Sequence, residues 1–378
     1  MLLLGTNCSS ADSSTNGNIF VTLSDPLTSL SEPVWTNGQV QFILNGESNV
    51  NYVIESSPDL VNWTPVATNL AAPSITVAAP DNAGFYRASR TPLPLFAYAV
   101  AARGNINING LGLLTDSFNS SDTNLSTDGQ YDFTKTSTNG NVACVSGIVN
   151  IGNHYMDGSL YLGPTGTNNS STNQIVGEIY TNFNVQFPDV VLPATDANGY
   201  PIVWQPAPTI TNTTYKKPIY IHDFTTANNN GYYTVGDSDA ITVETGVMVT
   251  LWVTASNYAP ASITIEGGTT NSGTLVMYQS SGNATLAGNS FGGPIGNRPQ
   301  NFVYFGLPGV NGVLVSYVSG GLTNIEVGTI YAPDAAAIIS AGGSVNGFSG
   351  SCVAHDVHIN GHFTFHYDES LLTSGPFR

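Results

Sequence analysis

The sequence predicts an all-β chain: a small N-terminal β-sandwich followed by a right-handed β-helix or solenoid. Three observations carry this reading. Charged residues make up 9% of the 378 residues and hydrophobic residues 41%, against a usual charged share of about 25%. The chain can therefore build a core, but Asn, Thr, Ser and Gly must cover its surface, and these suit strands and turns. Apolar and polar residues alternate over short runs separated by Gly- and Asn-rich clusters, the pattern of half-buried strands. No segment offers a long amphipathic helix, and even DAAAIISAGG (334–343) is short and ends in glycines.

Residues 1–17 are polar and Ser-rich and read as a flexible leader or N-terminal arm. Their start, MLLLGTNCSS, looks like the tail of a secretory signal. Cys8 before two serines resembles a lipid-modified cysteine, although Asn7 is larger than the residue expected ahead of it. Residues 18–90 read as an immunoglobulin- or fibronectin-like sandwich module. Short strands such as NIFVTL, VQFIL (40–44), NYVIESS (51–57), SITVAA and GFYRAS alternate there with turn clusters. Val40, Phe42 and Leu44 share one face, as do Tyr52 and Ile54.

Within this part, Tyr52, Ile54, Glu55, Ser57, Asp59, Leu60 and Trp63, followed by Phe85, Tyr86 and Arg87, resemble a small β-sandwich module of secreted verrucomicrobial and planctomycetal proteins. The resemblance spans about 40 residues and implies no catalysis. Read structurally, Trp63 is expected to be a core anchor, the alternative being a sugar-stacking platform.

Residues 91–102 include the Pro-containing TPLPLFAYAV and read as a linker. From 103 to 378 strands of three to six residues turn corners at Gly and Asn, the habit of stacked coils in which each buries its neighbour's apolar face. Residues 175–300 carry longer strands, VMVTLWVT (247–254) among them, and are either wider coils or a strand-rich insertion. Four motifs in order, TDSFNSSDTNLSTDGQYD, LYLGPTG, TIYAPDA and FHYDESL, resemble a pilus-assembly-like β-helix domain of secreted bacterial proteins of unassigned function. LGPTG departs from the Gly-Pro-Gly-Gly form expected there. The resemblance implies a β-helix over most of 103–372 and supplies no catalytic residue.

The formal charge of −17 disfavours nucleic acid and anionic membranes as partners, and no run is long and apolar enough for a membrane span. Carboxylate-rich loops favour Ca²⁺, so Asp116, Asn119 and Asp122 in DSFNSSD form one candidate site and GDSDA (236–240) a second. The alternative is that these residues cap turns. Four of six histidines, His355, His358, His362 and His366, fall within twelve residues. On a strand turned at Asn360-Gly361, His355 points inward with Val357, so the four cannot converge. His358 and His366 with Asp356 and Asp368 remain a transition-metal set, the alternative being a polar outer face of imidazole–carboxylate hydrogen bonds. The turn itself is either a three-residue hairpin loop or a solenoid corner. Cys144 and Cys352 could pair, with nothing requiring it.

No acid–base constellation or nucleophile motif appears. Tyr232 and Tyr233 in NNNGYYTVG are candidates for stacking on sugars. The expectation is a secreted, non-catalytic structural or adhesive protein of the cell surface or matrix that self-assembles into filaments. A glycan-binding protein is the alternative, and a β-helix polysaccharide lyase or hydrolase the third.

Overall fold

The computed structural model describes residues 29–36, 39–45, 52–68, 74–78, 85–90, 94–181, 183, 187–212, 219–225, 231–267, 271–287, 298–317, 325–341, 346–361 and 363–374. Residues 1–17, Cys8, the strand expected at NIFVTL and His362 lie outside them. The chain is almost wholly β and divides into two compact units, Met1–Pro92 and Leu93–Arg378.

The first unit contains β1 (Ser29–Thr36), β2 (Gln39–Asn45), β3 (Tyr52–Ser57), β4 (Thr64–Thr68), β5 (Ser74–Ala78) and β6 (Phe85–Arg90). They form two antiparallel sheets of three strands, β1-β2-β5 and β4-β3-β6. Val40, Phe42 and Leu44 from one and Tyr52, Ile54 and Tyr86 from the other share a core, with the Phe42 and Tyr86 rings 5.1 Å apart. The expected alternation therefore holds here. Trp63 is a correction: it is half-buried outside that core. Its indole N–H donates to Leu60 O at 3.2 Å, and the Arg87 guanidinium lies 4.2 Å over its ring. Arg87 in turn pairs with Glu55 at 2.6 Å. Asp59 accepts hydrogen bonds from the Val61 and Asn62 amides, at 2.9 and 2.8 Å, which hold its carboxyl well below the usual range. The resemblance motif thus combines core residues, Tyr52, Ile54 and Tyr86, with a surface turn at 59–63 that Asp59 folds and Arg87 covers.

The second unit opens with β7 (Val100–Ala102), β8 (Ile106–Asn109) and β9 (Leu111–Phe118). Next come β10 (Val142–Cys144), β11 (Ile148–Asn150) and β12 (Asn153–Met156), then β13 (Leu160–Leu162), β14 (Thr167–Asn168) and β15 (Ile179–Tyr180). Each group stacks in parallel on the one before, β10 on β7, β11 on β8, β12 on β9, then β13 on β10, β14 on β11 and β15 on β13. The chain then crosses to a distant part of the sheet and resumes with β16 (Gln205–Pro206), β17 (Thr209–Asn212), β18 (Ile219–Phe224), β19 (Gly231–Val235), β20 (Ala240–Val243), β21 (Met248–Val253), β22 (Asn257–Tyr258) and β23 (Ile263–Ile265). Four long strands and a short one complete it: β24 (Thr274–Ala287), β25 (Phe302–Tyr317), β26 (Ile325–Ala341), β27 (Asn346–Asn360) and β28 (Phe363–Asp368), before the single helical turn α1 (Leu371–Ser374).

Among the described residues eighteen strands join one sheet, and β17-β18-β20-β23 form a second of four. Residues 175–300 thus contribute both to the large sheet and to a separate one. In the large sheet one row runs unbroken in register through Tyr180, Tyr161, Ala143, Ala101 and Val353. It continues through Tyr331, Phe305, Tyr278, Trp252, Thr234 and Pro206. Neighbouring residues such as Leu160, Val142, Val100, Cys352, Ile330, Met277 and Leu251 are fully buried and belong to one core.

The spatial order differs from the chain order. β7–β9 lie between β10–β12 on one side and β27–β28 on the other. The stack grows from its middle to one end, leaps to the far end at residues 181–204, and returns to the middle. Ten strand spacings of about 4.8 Å separate Tyr180 from Pro206, roughly 48 Å. The crossing segment reaches up to about 80 Å when extended, so it spans the gap with slack. Arg103 holds it, pairing with Asp189 at 2.7 Å, with Asp334, and with the Phe187 carbonyl.

Several expectations change accordingly. Of the linker expected at 91–102, residues 91–93 lie outside the described residues, and Leu95–Ala102 are buried in the second unit, where their strand pairs on both edges. β28 pairs in parallel with the start of β27, Asn346 beside Phe363, so Asn360-Gly361 is a corner, with Gly361 at φ +94°, and not a hairpin. His355 is exposed rather than inward, bonded to Asp356 at 2.7 Å. The alternation resets there because β27 passes from pairing with β7 to pairing with β8, and one residue, His355, lies opposite three of β26. Cys144 and Cys352 are buried and free. β7 lies between their strands, with Cys144 beside Ala102 and Cys352 beside Val100, so they stand more than two spacings, about 9.6 Å, apart, beyond disulfide reach. Burial raises both thiols, Cys352 up to about 12.

Gly282 forms a corner of β24 at φ +74°, and a Cβ there would sit 1.4 Å from Ser256 O. Gly282→Ala is expected to cost roughly 3 kcal/mol or more, measured by thermal or denaturant unfolding.

Candidate functional site

The residues named for Ca²⁺ do not converge. Asn119 accepts the Ser121 amide at 2.9 Å and Asp122 accepts the Asn124 amide at 2.8 Å, each closing a local turn. Asp116 is buried on β9 and engaged elsewhere: its Oδ1 lies 2.6 Å from His366 Nδ1, and its Oδ2 accepts the Tyr131 hydroxyl at 2.7 Å. Tyr131 also stacks on the imidazole, ring centres 3.5 Å apart. Burial, then the Asp116 charge, raises the Tyr131 phenol well above its ordinary value, so it donates.

The proposed transition-metal set is overturned as well. His366 sits on β28 beside Ser349, nine positions along β27 from His358, whose ladder neighbours are Ile338 and Asn107. Asp356 accepts the Asn105 amide at 2.6 Å. Burial raises its carboxyl, but that bond and the His355 contact outweigh it and the net shift is downward. Asp368 Oδ1 accepts the Ser120 and Ser370 amides at 2.9 and 3.0 Å. The Asp116–His366 and Asp368–Ser120 bonds join β28 to β9 and the residues after it, as do Ser117 to Glu369 and Thr364 to Leu113 O.

Ser349, His366 and Asp116 occupy adjacent strands in register, the residue types of a nucleophilic triad. They are 3%, 7% and 1% exposed, the Tyr131 ring covers the imidazole, and the Ser349 hydroxyl makes no hydrogen bond among the described residues. Buried in this way among the described residues, the cluster acts as a clasp between sequence-distant strands.

Two features that sequence reasoning caught only in part lie elsewhere. His222, Asp237 and Asp239 offer ligand atoms within 4.8 Å of one another; GDSDA was legible as a ligand-rich loop, but its histidine partner on β18 was not. On the outer row, Trp252 and Tyr278 are half-buried, with Tyr278 stacked on Phe305 at 4.9 Å. Trp204 packs at 5.6 Å from Trp252 and 5.7 Å from Tyr232, making a half-exposed aromatic strip. Tyr233 faces the core instead, 5.1 Å from Phe224.

Asp368 yields a pH prediction. Burial raises its carboxyl, partly offset by the Ser120 and Ser370 bonds, and its Oδ2 is buried without a partner among the described residues. The folded chain therefore keeps a proton that the unfolded chain has released, and this group's contribution falls as pH rises from the ordinary Asp value through the raised one. Asp368→Asn is expected to remove that fall, so its stability relative to wild type rises with pH across the window. Chemical unfolding at a series of pH values checks it.

Over residues 225–374, which run from just before β19 to α1, the chain is similar to a family described as Domain of unknown function (DUF7305). No curated protein and no solved structure gives a significant match.

Proposed function

We propose that this chain is a secreted structural or adhesive protein of the cell surface or extracellular matrix. Its second unit is read as a right-handed β-helix and its first as a β-sandwich module. Three short strands per turn, each stacked in parallel on the turn before, support the β-helix reading, and the strong preference of parallel crossovers supports the hand. The surface, poor in Lys and rich in uncharged polar residues, supports the location.

The observation that carries the assembly reading is the pair of uncovered ends. Among the described residues β15 pairs only with β13, and β16 only with β19. Val176 and Tyr155 are exposed near the first end, and Tyr200 and Val203 near the second. An open edge flanked by apolar side chains is a template for another chain. Head-to-tail joining of two different ends does not close on itself and gives filaments. Electron microscopy and sedimentation velocity test this. The expected result is fibres with an axial repeat of at least about 50 Å, the height of the stack, shortened or lost on Val176→Lys or Val203→Lys. A monomer at all concentrations overturns the reading.

The aromatic strip favours a second reading, polysaccharide binding, because half-exposed indole and phenol faces stack on sugar rings. Oligosaccharides are then expected to quench tryptophan fluorescence, and Trp204→Ala to weaken binding roughly 3- to 10-fold. Unchanged affinity in that variant removes the strip from consideration.

A further inference from the structure

We infer that His222, Asp237 and Asp239 form a binding site for a borderline divalent cation, Zn²⁺ first, at the junction of the small sheet with the loop between β19 and β20. Two sheets build the place. His222 on β18 lies beside Ile241 of β20 in the four-stranded sheet, while the loop leaves β19 of the large sheet. That loop is pinned: the Asp239 amide donates to Asp237 Oδ1 at 3.1 Å, and Ser238 accepts the Ala259 and Ala261 amides at 3.2 and 3.0 Å. All three ligand atoms are held within 4.8 Å of one another.

The histidine is oriented as a ligand. Its side chain is 4% exposed, and Nε2 lies 2.8 Å from Asp237 Oδ1. Nδ1 lies 3.3 Å from Pro208 O and 3.0 Å from Thr209 Oγ1. A carbonyl can only accept, so a ring bonded to Pro208 carries its proton on Nδ1. Nε2 then faces the carboxylate, and either a second ring proton or a metal cation bridges the two. Carbonyl contact at the far nitrogen is how metal-binding imidazoles are commonly fixed.

A second observation points to the same spot. The Tyr258 hydroxyl is buried and makes no hydrogen bond among the described residues, and it lies within electrostatic reach of Asp237 and Asp239. A metal-bound water would supply the missing partner. One imidazole and two carboxylates suit Zn²⁺ better than Ca²⁺, which prefers oxygen throughout. Asp237 is 53% exposed, so the remaining coordination position opens to solvent. This replaces the Ca²⁺ expectation for GDSDA.

The test is calorimetric titration of chelator-treated full chain with Zn²⁺ and separately with Ca²⁺, followed by Co²⁺ substitution read by visible absorption. Wild type is expected to take one Zn²⁺ and to give the intense bands of low-coordinate Co²⁺. Asp237→Asn should lower Zn²⁺ affinity at least tenfold with little change in the metal-free melting temperature, because Asn keeps the Oδ1 acceptor of the Asp239 amide. Asp237→Asn with Asp239→Asn should abolish uptake. No Zn²⁺ uptake by wild type, undiminished uptake by the double variant, or tighter binding of Ca²⁺ than of Zn²⁺ would each overturn the assignment.

Discussion

The second unit depends on the parallel ladder that joins β27 and β28 to β7, β8 and β9. Every other rung of the large sheet joins strands from neighbouring turns of the chain. These rungs join strands about 250 residues apart, as the Ser351 to Tyr98 and Tyr367 to Phe96 bonds show. Without them the stack falls into two shorter stacks with open apolar ends. Closing so long a loop is slow for entropic reasons, so each half must hold its shape before the seam forms. The row narrows to Ala143, Ala101 and Val353 across the seam. There Phe96, against Tyr331, and Tyr98, against Tyr161, fill the outer face.

Short strands with small side chains specify register weakly, and the buried polar residues at the seam supply what they lack. A one-residue slip would take Asp116 away from His366 and Asp368 away from the Ser120 amide, leaving buried groups unpaired. Unpaired buried charge costs several kcal/mol, whereas a matched pair adds little net stability. The clasp therefore discriminates between registers more than it holds the strands together. Two carboxylates and an imidazole are buried together here, Asp116 and Asp368 being 1% and 0% exposed and His366 7%.

Much of the strand pattern was legible. Val249, Leu251 and Val253 face inward as their alternation required, and so do Val40, Phe42 and Leu44. Alternation fails at corners, where one strand passes from one partner to the next; His355 is the clearest case, since the parity of Val353 and Val357 placed it inside. The seam was invisible because periodicity describes a strand and not its neighbour. With the seam unseen, His366 and Asp368 read as an open polar face, though residues 119–139 cover it. The resemblance in the first unit rested on real contacts, but Trp63 was misplaced because a tryptophan under an arginine and one in a core have the same spacing in sequence.

Around residue 94 the chain takes up the course that it leaves near residue 374. Phe363–Asp368 lies directly between the start of β27 and β9, so the last turn passes into the first as though the two were consecutive. Among the described residues this order is interrupted at the passage of residues 181–204. In topological terms the described rungs are a circular permutation of a continuous parallel stack. Linking residue 374 to residue 94 and opening the chain between 190 and 204 would keep every rung and turn the crossing segment into two free ends, one at each end of the stack.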